Sequence, residues 1–255
     1  LWLQAMGSEL RGISLAPPTT PALFDVAQLA EGMDHQIADI RDFDKVKKLL
    51  VEFKPEILIH MAAQPLVRLS YQQPIETYAT NVMGTVHVLE AARHAGSVRA
   101  IVNITTDKCY ENKEWLWPYR ENEALGGYDP YSSSKACSEL VTSAYRQSFF
   151  AKAGKGLASA RAGNVIGGGD WSADRLVPDF LRAIDRSEVL KIRSPNATRP
   201  WQHVMEPLSG YLVLAEKLFQ QPNLFSKPYN FGPDDNGVQT VQWIVQYLCN
   251  SFPDA

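Results

Sequence analysis

The sequence predicts an α/β fold: a doubly wound, mostly parallel sheet with helices on both faces and a smaller C-terminal lobe. Three observations carry this expectation. Short β-branched and apolar runs at residues 56–60, 97–104 and 157–162 read as strands buried on both faces, as parallel strands usually are. Longer stretches of helical period, opening at Asp42, Pro74 and Tyr131, alternate with them. The run Ile101-Val102-Asn103-Ile104 then opens into the polar cluster Thr105-Thr106-Asp107-Lys108, at the end of a strand where open α/β sheets bind their ligands.

Each element has a local reason. Residues 10–15 read as a strand that cannot run on through Pro17, Pro18 and Pro21, because proline fixes φ and removes a ladder donor. Residues 36–40 form a short strand, after which Asp42 caps a helix with Phe43, Val46, Leu49, Leu50 and Phe53 on one face. The strand at 56–60 ends in Ala62-Ala63-Gln64, small residues that let a flat ligand approach the backbone, while His60 reads as a core residue. A long helix is expected over 74–95, with Asn81 on its apolar stripe and bonded to backbone.

The aromatic loop 115–120 suggests a ligand wall. Asn164 starts a glycine-rich segment, and a helix begins in 174–180. Two short strands, 189–192 and 200–204, are expected around Arg193, Arg199 and His203, followed by a helix at 206–220, a strand at 229–231 and a helix at 240–250. The expected division is residues 1–163 for the sheet domain and 164–255 mainly for the lobe.

Composition bounds the function. With 255 residues, 45% hydrophobic and 21% charged, the chain can bury a large core. Its 25 Lys and Arg against 28 Asp and Glu give a net charge of −3, no electrostatic reason to expect nucleic acid or an anionic membrane as partner. Cys109, Cys137 and Cys249 are too few and scattered for a disulfide framework or a zinc site, which points to a reducing, cytoplasmic compartment. No apolar run has the length of a membrane span.

The chemistry concentrates in residues 101–135. Tyr131 and Lys135 lie four apart after the helix-start signal Asp129-Pro130, so both should project from one face of one helix. A phenol is a poor base at neutral pH, but a nearby ammonium favours the phenolate. Tyr131 then reads as an acid/base and Lys135 as its electrostatic support.

These residues resemble the extended short-chain dehydrogenase/reductase family, with its Rossmann-like fold, in which Thr or Ser, Tyr and Lys surround a nicotinamide and a sugar hydroxyl. The longer text, Thr106-Asp107-Lys108-Cys109-Tyr110-Glu111-Asn112-Lys113-Glu114-Trp115 with residues 119–123, is similar to the family's CDP-glucose 4,6-dehydratase group. The likeness runs through residues 60–65, 81–85 and 162–171 and spans essentially the whole chain. It implies NAD as cofactor, with Asp39 and Ile40 beside the adenine and Ala62, Ala63, Gln64, Asn81, Thr105, Tyr131 and Lys135 around the rest. Asn81 would bridge backbone and Lys135. NAD rather than NADP rests on the resemblance, since Ser14 and Leu15 end the second strand where an acid would mark NAD. It also implies CDP-glucose as substrate, held by Asn164, Arg175, Leu176 and Arg199, no metal, a homo-oligomer, and a place in deoxysugar synthesis for lipopolysaccharide O-antigen.

The implied reaction is internal redox. Tyr131 removes the C4 hydroxyl proton as hydride leaves C4, with Thr106 on the same oxygen; Asp107, as a protonated carboxyl, assists departure of the C6 hydroxyl; hydride returns to C6. Related dehydratases carry Glu beside the Asp as C5 base, and Lys108 stands there instead. The C5 base is therefore Lys108 or another group. A nucleotide-sugar 4-epimerase and a non-catalytic NAD-binding relative are the alternatives.

Residues 1–7 read as the tail of a helix closed by Gly7, with no strand or glycine-rich turn ahead of it, and Gly167-Gly168-Gly169 comes too late to serve. The expectation is a sheet lacking its first strand and glycine-rich loop, with bare edges at residues 10–15 and 56–60. The C-terminus also reads as trimmed. These residues alone are then expected to be insoluble or molten, inactive, and unable to retain NAD.

Overall fold

The computed structural model describes residues 1–252. In chain order its elements are α1 (Trp2–Ala5), β1 (Arg11–Ser14), α2 (Leu23–Val26), β2 (Asp34–Ile37), α3 (Phe43–Phe53), β3 (Ile57–His60), α4 (Val67–Gln72), α5 (Pro74–Tyr78) and α6 (Gly84–His94). Then follow β4 (Ala100–Ile104), α7 (Pro130–Tyr145), β5 (Gly156–Ala162), β6 (Asn164–Ile166), α8 (Leu176–Arg186), β7 (Thr198–His203), α9 (Met205–Gln220), α10 (Pro222–Phe225), β8 (Pro228–Phe231), β9 (Val238–Thr240) and α11 (Val241–Ser251).

The expected α/β architecture is present. A four-stranded sheet runs β3-β4-β5-β8 with every neighbouring pair parallel. A separate parallel pair, β1-β2, is not hydrogen-bonded to it, so β1 and β3 each carry one free edge among the described residues. The third sheet, β6-β7-β9, builds the lobe.

Alternation along β4 explains how one sheet serves two cores. Ile101 faces Val46, Leu50, Leu89 and Phe150 beneath α3 and α6. Its neighbours Ala100 and Val102 face Tyr211, Leu214 and Leu218 of α9 on the other side. Burying a leucine such as Leu89 or Leu218 completely, as here, stabilises by about 2–3 kcal/mol. Apart from Leu157 and Arg161 the residues of β5 are small, and a Cβ on Gly156 would stand 2.8 Å from the Leu218 carbonyl, so glycine is what lets α9 lie this close.

Caps fall where the sequence places them. The Asp42 carboxylate accepts from the Lys45 amide at 3.0 Å and starts α3. Asp129 accepts from the Ser132 amide at 2.9 Å and starts α7, with Pro130 in its first turn.

Several expectations need correction. The helix expected over 74–95 is interrupted by a π turn at Ala79–Met83, which inserts an extra residue and turns Asn81 inward. The strand expected at 36–40 is β2, which ends at Ile37, and residues 97–99 precede the strand β4. Residues 189–192 form no strand: Val189 is 97% exposed, and β7 pairs instead with β6 and β9, leaving this run without a partner. Asn164 opens the short strand β6, which leads into the glycine-rich run. The boundary at 163 does not cut the chain in two, because α9 and β8, beyond it, return to the main sheet and its core. A buried Gln202 in the lobe donates to the Phe231 carbonyl of β8 at 3.1 Å and joins the two parts.

Candidate active site

β4 delivers Thr105, Thr106 and Asp107 at its carboxyl end, and α7 lies across it with Tyr131 and Lys135 on its inner face. Tyr131 and Lys135 are both buried, Lys135 to 7% exposure. The start of α7 is anchored from α4: the Tyr131 amide donates to Ser70 Oγ at 3.1 Å.

The Tyr131 phenol lies close enough to Thr106 and Asp107 to be acted on by both. Burial raises its pKa above the usual phenol range; a hydrogen bond with Thr106 and the charge of Arg175 pull the other way, while Asp107 adds to the rise. Thr106 Oγ1 also lies 3.0 Å from Asp107 Oδ1. Lys108 Nζ reaches the same carboxylate oxygen at 3.4 Å, in a partly exposed ion pair. A Cβ on Gly163 would come 2.5 Å from Pro200 Cγ and 3.4 Å from Asp107 Oδ2, so the bare backbone there lets the lobe close on the carboxylate.

Lys135 lies one turn of α7 beyond Tyr131, and its Nζ donates to the Ile104 carbonyl at 3.2 Å. Burial, partly offset by the negative charge of Glu139, lowers the Lys135 pKa to about 8. An ammonium carries three donors, and one acceptor is engaged here among the described residues. The remaining N–H groups fit the hydroxyls of a nicotinamide ribose.

Asn81 bonds backbone as expected, but its second partner is Ser134 and not Lys135. Its Oδ1 accepts from the Gln64 amide at 2.8 Å, and its Nδ2 donates to the Gln64 carbonyl at 3.1 Å and to Ser134 Oγ at 2.9 Å. It thus ties the loop after β3 to α7 one residue before Lys135, without touching the ammonium. Gln64 further donates to Thr77 Oγ1 at 2.9 Å, and Ala62 and Ala63 lie partly buried at the end of β3, where a flat ring can approach. Ile40 is buried in the core against Gly84, and its carbonyl meets His87 Nδ1 at 3.2 Å. The Asp39 carboxylate is taken by Arg41 through its amide at 2.8 Å and its guanidinium at 2.6 Å. His60 is the expected core residue, bonded to Thr85 Oγ1 at 3.3 Å; burial and the Lys135 charge lower its pKa to about 3.

In the lobe, Asn164 Oδ1 and Arg175 Nε are buried polar atoms with no hydrogen-bond partner among the described residues, as is Trp115 Nε1 in the aromatic loop. Such atoms suit a polar ligand, since leaving them unpaired is costly. Leu176 opens α8, partly buried, and Arg199 Nη1 donates to the Thr198 carbonyl at 2.8 Å. In the expected ligand wall, Trp115 packs near Trp117 and Tyr119, and Tyr119 stacks on Tyr110.

Sequence reasoning missed Glu139 and Arg161. They form a buried ion pair at 2.7 Å between α7 and β5, with side chains 3% exposed. The signal was available: Glu139 continues the Tyr131, Lys135 stripe by four more residues, and Arg161 is a lone charge in a strand of small, buried residues.

A phenol, a hydroxyl, a carboxylate and a buried ammonium at the carboxyl end of a parallel α/β sheet define a short-chain dehydrogenase/reductase type of site. The family model described as GDP-mannose 4,6 dehydratase matches residues 22–223. The chain belongs to that family of extended short-chain dehydrogenase/reductases. It is 57% identical to the CDP-glucose 4,6-dehydratase of Salmonella typhimurium over 100% of this chain and 72% of that protein. It is 28% identical to the human dTDP-D-glucose 4,6-dehydratase over 82% of this chain and 57% of the human protein. Among solved structures, the fold is shared with the Thermotoga maritima UDP-glucose 4-epimerase, at a TM-score of 0.81 and 20% identity over 98% of this chain and 76% of that one. It is shared also with a dTDP-glucose 4,6-dehydratase of Streptomyces venezuelae, at 0.78 and 22% over 96% and 72%.

Proposed function

We propose that the protein is a hydro-lyase that uses NAD to convert CDP-glucose into CDP-4-keto-6-deoxyglucose and water. The observation that carries this reading is the gathering of Thr106 and Asp107 at the carboxyl end of β4 beneath the helix α7 that carries the buried Tyr131 and Lys135. The 57% identity to a CDP-glucose 4,6-dehydratase supports the substrate.

NAD, when bound, supplies a hydride acceptor for C4 and a hydride donor for C6. Tyr131 takes the C4 hydroxyl proton, and Thr106 orients that oxygen. Arg175 favours the phenolate, which burial otherwise opposes. Lys135 and the Gln64–Asn81 clamp hold the nicotinamide-ribose side, with Ala62, Ala63 and Thr105 alongside; Asp39 and Ile40 lie on the adenine side. Once C4 is a ketone the C5 proton is acidic: Lys108 is the candidate base and Asp107 protonates the departing C6 hydroxyl. Asn164, Leu176 and Arg199 complete the nucleotide-sugar side, with Arg199 on the diphosphate. The protein works in the cytoplasm, in deoxysugar synthesis for O-antigen, as a homo-oligomer; exposed Tyr71 and Ile75 on α4 and α5 offer apolar surface for self-association.

The test is to incubate the intact protein with NAD and CDP-glucose and follow the alkaline absorbance of a 4-keto-6-deoxy sugar. Appearance of that product at substrate turnover supports the reading. Recovery of CDP-galactose instead makes the protein a 4-epimerase, and no turnover with CDP-, dTDP-, UDP- or GDP-sugars makes it a binding protein.

A further inference from the structure

The buried polar cluster around Glu139 lies one helical turn beyond Lys135. Tyr131, Lys135 and Glu139 succeed one another at four-residue intervals along α7 and so form one stripe. Glu139 is 4% exposed, and both its carboxylate oxygens are bonded. Oε1 accepts from Thr105 Oγ1 at 2.5 Å. Oε2 accepts from Ser159 Oγ and from Arg161 Nη2, each at 2.7 Å. Thr105 sits between Ile104, whose carbonyl holds the Lys135 ammonium, and Thr106, which faces the Tyr131 phenol. Arg161 extends the cluster outward: Nη1 donates to Tyr110 Oη at 2.8 Å and to the Glu121 carbonyl at 3.0 Å. Tyr110 in turn donates to Asn230 Oδ1 at 2.6 Å. One carboxylate therefore joins α7, β4 and β5 and, through Arg161, the segment that follows Asp107 and Lys108.

We propose that Glu139 is a positioning residue for Tyr131 and Lys135: its Arg161-clamped carboxylate locks the end of β4 against α7 and supplies the buried counter-charge that keeps Lys135 an ammonium. The proposal rests on the reading of Tyr131 and Lys135 as the working pair. A buried ammonium with no opposite charge nearby gives up its proton. The charged and titratable groups facing this region are His60 from β3, Cys109 and Tyr110 after β4, Arg146 beyond the end of α7, and Arg161 from β5. Glu139, one turn of α7 beyond Lys135, is the carboxylate that acts on it. The neutral thiol of Cys109, pushed up to about 12 mainly by burial, supplies no charge at working pH.

The experiment is to titrate the Lys135 side-chain nitrogen by heteronuclear NMR in the intact protein and in E139Q, with the signal assigned by its loss in K135M. The proposal expects the Lys135 titration to move about one pH unit or more toward acid in E139Q. The alkaline limb of the kcat profile should follow it, and both should return in E139D. An unmoved Lys135 titration in folded E139Q overturns the proposal. Should E139Q not fold, the double variant E139Q/R161Q replaces the pair by neutral amides of similar shape. An acid shift is expected there too, because the carboxylate that favours the charged form of Lys135 is gone, and its absence again overturns the proposal. The NMR readout needs no substrate, so failure of the dehydratase reading would show as absent turnover in the unsubstituted protein and leave the Lys135 shift in place.

Discussion

Replacing Gly163 with alanine probes how the lobe is set on the catalytic carboxylate. The new methyl would stand 2.5 Å from Pro200 Cγ, 3.3 Å from the Pro200 carbonyl oxygen and 3.4 Å from Asp107 Oδ2. The first distance is one that no relaxed contact shows, and a proline ring in β7 yields a few tenths of an ångström at most, so β7 must move. Overpacking of this kind costs about 1–3 kcal/mol. For a chain of this size each kcal/mol lowers Tm by about 2 °C, so G163A should melt about 2–6 °C below the unsubstituted protein. Activity should suffer more than stability, because Asp107 and the Arg199-bearing strand are displaced together, and a shift near 1 Å costs about 100-fold. Differential scanning calorimetry and single-turnover kinetics separate the two effects. C4 oxidation, read as transient NADH absorbance, should persist while elimination slows. Unchanged Tm and unchanged elimination in G163A would refute the argument that the glycine admits the lobe to the site.

K135M should abolish turnover yet raise stability near neutral pH. The depressed Lys135 pKa, about 8 against an ordinary 10.5, corresponds to about 3 kcal/mol of unfavourable burial of charge. Because the unfolded state binds the proton more tightly, that cost is fully present below pH 8 and fades as pH rises toward 10.5; denaturant melts of K135M across this range check it. His60 acts on the acid side: with its folded pKa near 3, the neutral ring's contribution is present above about pH 6.5 and is lost as pH falls toward 3. H60N should therefore flatten the decline in stability between pH 6.5 and 5 by about 2 kcal/mol, measured by urea titration. N81A leaves the Gln64 amide, the Gln64 carbonyl and Ser134 Oγ without their partner and should cost about 2–4 kcal/mol, with NAD affinity by calorimetry falling along with Tm.

The order of strands and helices, the caps at Asp42 and Asp129, and the placing of Thr106, Asp107, Tyr131 and Lys135 in one region were legible in the sequence. Each rests on signals a few residues apart: apolar period, a cap beside the helix it starts, two side chains four apart. What only the tertiary structure decided depends on partners distant in the chain. The Val189 run has strand composition but finds no neighbouring strand, since β7 is paired on both sides. The π turn at Asn81 forms where its side chain is claimed by Gln64 and by Ser134, 53 residues away. The Lys135 ammonium turns to the Ile104 carbonyl because burial leaves it needing an acceptor, and Glu139 meets Arg161 only because α7 packs across β5. A buried charge must be paired within a few ångströms wherever the chain brings an opposite one, and that distance is set by packing, not by sequence spacing.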